Sequence, residues 1–384
     1  MNNYISLIVI AILVTFSNHI LVEKEKFGGE GAIAIGDFDF GKRTIDENLL
    51  STTAIETPIM PALIRPKNTN PIKIIFDTDM DSDVDDVGAL AMLHAMMTNG
   101  EVEILAVMVS STCPSSAACA DAVNTYYGRP DIPIGVKKGN GVNRDSGYVS
   151  KVAGKFPENI GSRANACDSK VLYRQILAGS PDKSVIIVNV GYFTNLKDLL
   201  KTPGDSISDL NGRDLVNAKV TELVGTGGEY PRDLSFQENG NFEPDGKAVK
   251  YVNEHWPTML TFVSGEQYFW DVKTGAALLE EDMNVNPVAF AYKEFYTLVS
   301  WDRLYPDHHS ADQIGVYVAV RGFENEYILT KTTGYFHIWD NGLCEWRTDS
   351  EIPLRRITYS LKDPYWNSAA RLADIIETLM LQKP

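Results

Sequence analysis

The chain has 384 residues, 44% hydrophobic and 22% charged, which suits a soluble globular protein with a sizeable core. Its net charge of −16 and pI of about 4.8 make phosphate backbones and anionic membranes poor partners, and leave neutral small molecules and cations. Cys113, Cys119, Cys167 and Cys344 form no CxxC pair, which argues against a zinc site or a disulfide framework.

At the N-terminus, Ile5–Phe16 is a mostly apolar run of twelve residues. A transmembrane helix needs roughly 20 such residues, whereas a signal-peptide h-region needs about this many. No Lys or Arg precedes the run and no A-x-A site follows it. A signal peptide over 1–18 and export to a periplasmic or secreted location are expected, with no stable membrane insertion after processing. A cytoplasmic protein is the alternative. Residues 19–70 are Gly-rich near Gly28–Gly31 and then carry Pro58, Pro61 and Pro66, the pattern of a linker or wrapped arm.

From Pro71 onward short β-rich runs alternate with helical ones, and 71–384 is expected to form the folded domain. Strands are predicted at Ile72–Phe76, Glu103–Val109, Ile132–Val136, Ser184–Val190, Val220–Val224, Met259–Val263 and Val316–Val320. Helices are predicted at Val87–Thr98, Ser115–Tyr127, Val171–Ala178, Asn195–Leu200, Asp245–Glu254 and Lys273–Leu279. This alternation predicts an α/β fold, a mostly parallel central sheet flanked by helices. Beyond Gly322, Tyr327–Thr330 and Tyr335–Trp339 suggest a small C-terminal antiparallel addition, and Pro364–Leu381 a closing helix.

One stretch stands out. In "DTDMDSDVDD" (Asp77–Asp86) six of ten residues are aspartate. The apolar Ile72–Phe76 reads as a buried central strand, so the cluster begins where ligands bind in open α/β sheets. Asp85 and Asp86 open the next helix, whose dipole contributes about 1 kcal/mol at most per charge, too little to offset the repulsion. A hard dication would offset it, since carboxylate oxygens are the ligands Ca²⁺ and Mg²⁺ prefer. A solvated acidic loop is the plainer reading, but the clamp between strand and helix is a site geometry. An EF-hand fails: counted from Asp77, Asp79 or Asp81, the sixth residue is never Gly and the twelfth never Glu.

"DTDMDSDVDDVGAL" resembles the DTDxGxDxDDxxAL signature of the calcium-dependent, inosine–uridine preferring nucleoside hydrolases. Asp77, Asp79, Asp85 and Asp86 match, and Asp81 stands where the family has Gly. "GRPDIPIG" (Gly128–Gly135) is similar to the segment after the family's second helix. "VGYFTNL" (Val190–Leu196) resembles its TGPLTNL turn, "ENGNFEPDGKAVKYV" (Glu238–Val252) its EFNxxxDPEAAxxV stretch, and "ADQIGVYVAVRG" (Ala311–Gly322) its C-terminal motif.

The resemblance implies a nucleoside hydrolase-like fold and hydrolysis of an N-glycosidic bond in a nucleoside or riboside, with Ca²⁺ as cofactor. By this likeness Asp79 is catalytic base and metal ligand, and Asp86, Asp312 and the Val190 carbonyl complete the metal set. Asp77, Asp85 and Asn241 would lie on the ribose, while Asn239 replaces a ribose-binding Glu. A homo-oligomer is compatible with it.

Ala311 occupies the place of the His that, in much of the family, protonates the leaving base. His308 and His309 lie just upstream; a histidine pair in a loop is usually solvent-facing. Tyr230, Tyr268, Phe269, Trp270 and Trp301 could stack on a base, though aromatics at such spacing are more often core. Two rivals remain. A HAD-type phosphotransferase shares "DTDMD", but Asp81 stands where that motif needs Thr or Val, and an aspartate-packed loop repels phosphate. The other is a hydrolase-like calcium- and sugar-binding protein that has lost turnover, motivated by Ala311 and Asn239.

Overall fold

The computed structural model describes residues 70–231, 240–264, 271–299, 307–322, 327–331, 333–349, 352–362 and 367–384. The N-terminal apolar run, the arm up to residue 69, Asn239, Tyr268, Phe269, Trp270 and Trp301 lie outside them.

Among the described residues, nine strands form one sheet. They are β1 (Ile72–Thr78), β2 (Val102–Val109), β3 (Ile134–Val136), β4 (Cys167–Asp168), β5 (Val185–Asn189), β6 (Val220–Thr226), β7 (Met259–Val263), β10 (Ile328–Lys331) and β13 (Arg355–Leu361). Their spatial order is β10-β13-β7-β6-β5-β1-β2-β3-β4, parallel throughout except for the β10–β13 pair. The chain runs from β1 outward to β4, then returns to the other side of β1 as β5. The reversal puts a topological switch point beside β1, the place where such sheets open a crevice at their carboxyl ends.

Two smaller ladders complete the strands: β8 (Lys273–Thr274) with β9 (His308–His309), and β11 (Tyr335–Ile338) with β12 (Cys344–Arg347). Among the described residues the α-helices are α1 (Asp85–Thr98), α2 (Ser116–Tyr126), α3 (Tyr148–Lys155), α4 (Ser169–Gly179), α5 (Thr194–Leu200), α6 (Gly212–Lys219), α7 (Gly246–His255), α8 (Pro287–Leu298), α9 (Ala311–Arg321) and α10 (Asn367–Met380).

Alternation along β1 feeds two cores. Ile74 and Phe76 join the core built with α1, α2, α8 and α9, and Ile75 joins the one built with α4, α5 and α7. Residues pointing to both faces of β1 are fully buried, as its unbroken apolar sequence implies. Among the described residues, no helix is long and apolar enough to cross a membrane. All four cysteines are free.

Two predicted elements change type. Val316–Val320, predicted as a strand, lies inside α9: a short apolar β-branched run looks alike in a buried strand and a buried helix, and here burial is nearly complete around the helix. Lys273–Leu279, predicted as a helix, is instead strand β8 and a 3₁₀ turn at Ala277–Glu280, with Gly275 at φ 117° between them. The C-terminal addition also differs in detail, because β10 and β13 extend the main sheet and only β11–β12 stands apart.

Candidate active site

The loops at the carboxyl ends of β1, β2, β5 and β6 meet at the switch point. Gly191, just after β5, presses on the loop after β1; a Cβ built there would lie 2.3 Å from the Asp79 nitrogen. Only a residue without a side chain allows that approach. Ser110, after β2, ties the same corner: its N–H donates to the Thr78 carbonyl at 2.8 Å, and its hydroxyl accepts from the Tyr192 N–H at 3.0 Å.

Within this corner the six aspartates divide by function. Asp77 is buried, and its two oxygens accept from the Tyr173 hydroxyl at 2.8 Å and the Asn195 amide at 3.0 Å. Burial pushes its carboxyl up to about 8 against those two hydrogen bonds. Both oxygens are therefore engaged by α4 and α5, with one hydrogen bond on each.

Asp81 is equally committed. It accepts from the Ser111 hydroxyl, from the Tyr192 hydroxyl at 3.0 Å and from the Arg144 N–H at 3.1 Å. Its own carbonyl accepts from the Ser146 N–H at 3.0 Å. The aspartate that replaces the family's glycine thus fastens the β1 loop to the segments after β2 and β3. The preceding residue, Met80, takes the left-handed conformation at φ 50°.

Of the other four, Asp79, Asp85 and Asp86 lie with Asp312, from the first turn of α9. Asp86 accepts on one oxygen from the Thr78 hydroxyl and from the Met80 N–H at 3.1 Å. Asp85 accepts on one oxygen from the Asp312 N–H at 3.2 Å, which joins the first turn of α1 to the first turn of α9. The other oxygens, Asp85 Oδ1 and Asp86 Oδ2, are buried and have no hydrogen-bond partner among the described residues. Asp85, Asp86 and Asp312 each offer an oxygen within 4.8 Å of the other two.

Burial raises all four carboxyls, Asp86 to about 7, and mutual repulsion adds to it: Asp86 acts on Asp79, Asp83 on Asp85 and on Asp86, and Asp85 on Asp312. Carboxylates that cannot comfortably all ionise, with buried oxygens left over, fit a hard dication.

Val190 and Asn241 also reach this corner. The Asn241 amide donates to the Val190 carbonyl at 2.6 Å and to the Thr226 carbonyl at 3.2 Å. A carbonyl has two lone pairs, so this bond leaves one for an ion. Gly315, one turn into α9, leaves room for the Thr226 hydroxyl, which a Cβ would meet at 2.5 Å. Tyr230 packs instead on Tyr359, with ring centroids 4.6 Å apart.

A group that sequence reasoning underrated is Asp83. Its carboxylate faces two imidazoles, His309 Nε2 at 3.3 Å and His308 Nε2 at 3.8 Å. Burial would raise this carboxyl, but the two imidazoles facing it hold it well below the usual range. The histidine pair is not solvent-facing; His308 is buried, edge-on to Phe295 at 5.0 Å. Their adjacency to "ADQ" carried the only signal.

Solved structures with this architecture are nucleoside hydrolases and related proteins. A plant nucleoside hydrolase matches with a TM-score of 0.61 at 15% identity, over 81% of this chain and 99% of that one. The inosine–uridine preferring nucleoside hydrolase from Bacillus anthracis matches with a TM-score of 0.55 at 16% identity, over 80% and 99%. The chain has the nucleoside hydrolase fold. A type III effector protein, XopQ, complexed with adenosine diphosphate ribose, shares it with a TM-score of 0.55 at 16% identity, over 82% and 94%. No family model matches the sequence. No curated protein matches it either.

Proposed function

We propose that this protein is a metal-dependent hydrolase that cleaves the N-glycosidic bond of ribonucleosides to a base and ribose, with Ca²⁺ as the ion. The supporting observation is the buried set Asp79, Asp85, Asp86 and Asp312 at the switch point of a nucleoside hydrolase fold, with two oxygens that no described residue satisfies. Asp79, Asp86, Asp312 and the Val190 carbonyl would hold the ion. When bound, a dication there supplies the charge that lowers the pKa of a neighbouring water.

The chain's own residues do the rest. Asp79 takes the proton of the attacking water as general base. Asp85 and Asn241 fix the ribose hydroxyls, which orients the sugar and selects a pentose. Asp77, locked by Tyr173 and Asn195, positions the end of β1. Asp81 holds the loop that carries Asp79.

No proton donor stands at position 311, and His308 and His309 both face Asp83. This favours a second reading, a calcium- and sugar-binding protein without turnover. A panel of ribosides assayed with calcium and with EGTA separates the two. Calcium-dependent release of free base supports the hydrolase. Riboside binding with no release supports the binding protein, and neither binding nor release overturns both.

A further inference from the structure

We infer that Asp83, His308 and His309, together with Asp85, form a second metal site that takes a transition-metal dication rather than calcium. The four residues each offer a ligand atom, two imidazole nitrogens and two carboxylate oxygens, all within 4.8 Å of one another. Ligands about 2.0–2.1 Å from a tetrahedral zinc stand about 3.3 Å apart. The Asp83-to-His309 distance, 3.3 Å, is at that spacing, and the Asp83-to-His308 distance, 3.8 Å, is somewhat longer. Asp85 belongs both to this set and to the Asp85, Asp86 and Asp312 set, and its Oδ1 is buried without a partner among the described residues, so an ion here and a ribose hydroxyl would draw on the same carboxylate.

Each of these residues is tied to a second element. His308 and His309 are strand β9, laddered against Thr274 and Lys273 of β8, and the next residue ties back through the Ser310 N–H to the Val272 carbonyl at 3.0 Å. The Asp83 carbonyl accepts from the Tyr148 hydroxyl at 2.7 Å, and Asp85 sits in the first turn of α1. Ligands fixed by packing and outer hydrogen bonds are what a metal site requires. Imidazole nitrogen is a ligand for Zn²⁺, Co²⁺, Ni²⁺ or Fe²⁺, whereas calcium takes oxygen. Cysteine spacing argued against zinc, but this set contains no sulfur.

This site stands whether or not the protein hydrolyses ribosides, so its test reads metal and not turnover. The purified full chain, saturated with Ca²⁺, is titrated with Zn²⁺ by calorimetry, and with Co²⁺ while the visible spectrum is followed. Wild type is expected to bind one transition ion beyond calcium and to give the intense visible bands of low-coordinate cobalt. His309→Ala and Asp83→Asn, both at partly exposed positions, should each weaken Zn²⁺ binding by about 10²-fold or more, since losing an outer hydrogen bond alone costs 10–100-fold. Circular dichroism and melting confirm that each variant is folded. Equal Zn²⁺ affinity in wild type and both folded variants overturns the site. So does a wild type that binds no Zn²⁺ beyond calcium, or cobalt that keeps the weak spectrum of the aqueous ion.

Discussion

The Asp312 N–H donates to Asp85 Oδ2 at 3.2 Å, so two helix starts separated by 227 residues in sequence are fastened to each other inside the acidic cluster. The bond gives each carboxylate a fixed neighbour and leaves Asp85 Oδ1 buried without a partner among the described residues. Removing the Asp312 side chain keeps that N–H and takes away one carboxylate. Asp312→Ala should therefore stay folded and lose calcium. At calcium a hundred-fold above the wild-type Kd, ligand binding stabilises by about 2.7 kcal/mol, and the variant should lose most of it. Thermal melts with and without calcium decide the matter; an undiminished calcium shift would remove Asp312 from the site.

Asp81 is expected to matter for stability as much as for function. Replacing it by Gly, the residue in the family signature, strips acceptors from the Ser111 and Tyr192 hydroxyls and the Arg144 N–H. Each buried donor left unsatisfied costs about 1–3 kcal/mol, so Asp81→Gly should lose roughly 3 kcal/mol or more in urea unfolding. A loss under about 0.5 kcal/mol would mean that the loop is held by other contacts.

His94 sets a stability limit on the acid side. Its Nε2 donates to Asn124 Oδ1 at 2.8 Å, and its Nδ1 accepts from Arg129 at 2.9 Å, which fixes the neutral tautomer. Burial pushes the imidazole down to about 3 from 6.5; Asn124 opposes that fall and Arg129 adds to it. The unfolded chain thus takes the proton first. This contribution is fully present above pH 6.5 and is lost as pH falls from 6.5 towards 3, by about 1.4 kcal/mol per pH unit. Urea midpoints of wild type and His94→Gln between pH 7 and 5 should converge as the pH drops. Parallel curves would show that His94 is not the titrating group.

In the proposed hydrolysis, Ala311 leaves the departing base without a proton donor at that position. The departing base carries developing negative charge that a good leaving group stabilises unaided. If the proposed hydrolysis is correct, p-nitrophenyl riboside should be cleaved at least about 10²-fold faster than inosine, the lower bound for one missing general acid. Ala311→His should raise inosine turnover more than p-nitrophenyl riboside turnover. Equal rates on both substrates, with chemistry limiting, would rule out this account of the leaving group.

Much of this was legible in the sequence because β1 and its loop obey simple rules. An unbroken apolar strand, a switch in composition and a helix start together place Asp77–Asp86 at a sheet's carboxyl end. What stayed hidden was which aspartates the fold takes up in hydrogen bonds. Asp77 and Asp81 look like Asp79 and Asp86 in sequence, and only Tyr173, Asn195, Ser111 and Tyr192 distinguish them, from positions 30 to 118 residues away. Other misses had local signals. Asn286 caps α8 through the Val288 and Ala289 N–H groups, and Pro287 takes its first position, a helix start readable as Asn-Pro. α9 had no such help, since Ser310 makes no capping bond and the Val-rich run reads equally as strand.

Among the described residues, the sheet ends in very short strands on both sides, two residues at Cys167–Asp168 and four at Ile328–Lys331. So few unpaired backbone groups give a neighbouring molecule little to add a strand to, and a lysine closes the longer of the two. Self-association of this chain would accordingly be built from helix faces or loops rather than by continuing the sheet into a second copy. The same short margins guard the folded protein against edge-to-edge aggregation, although its centre is a nine-stranded hydrophobic sheet.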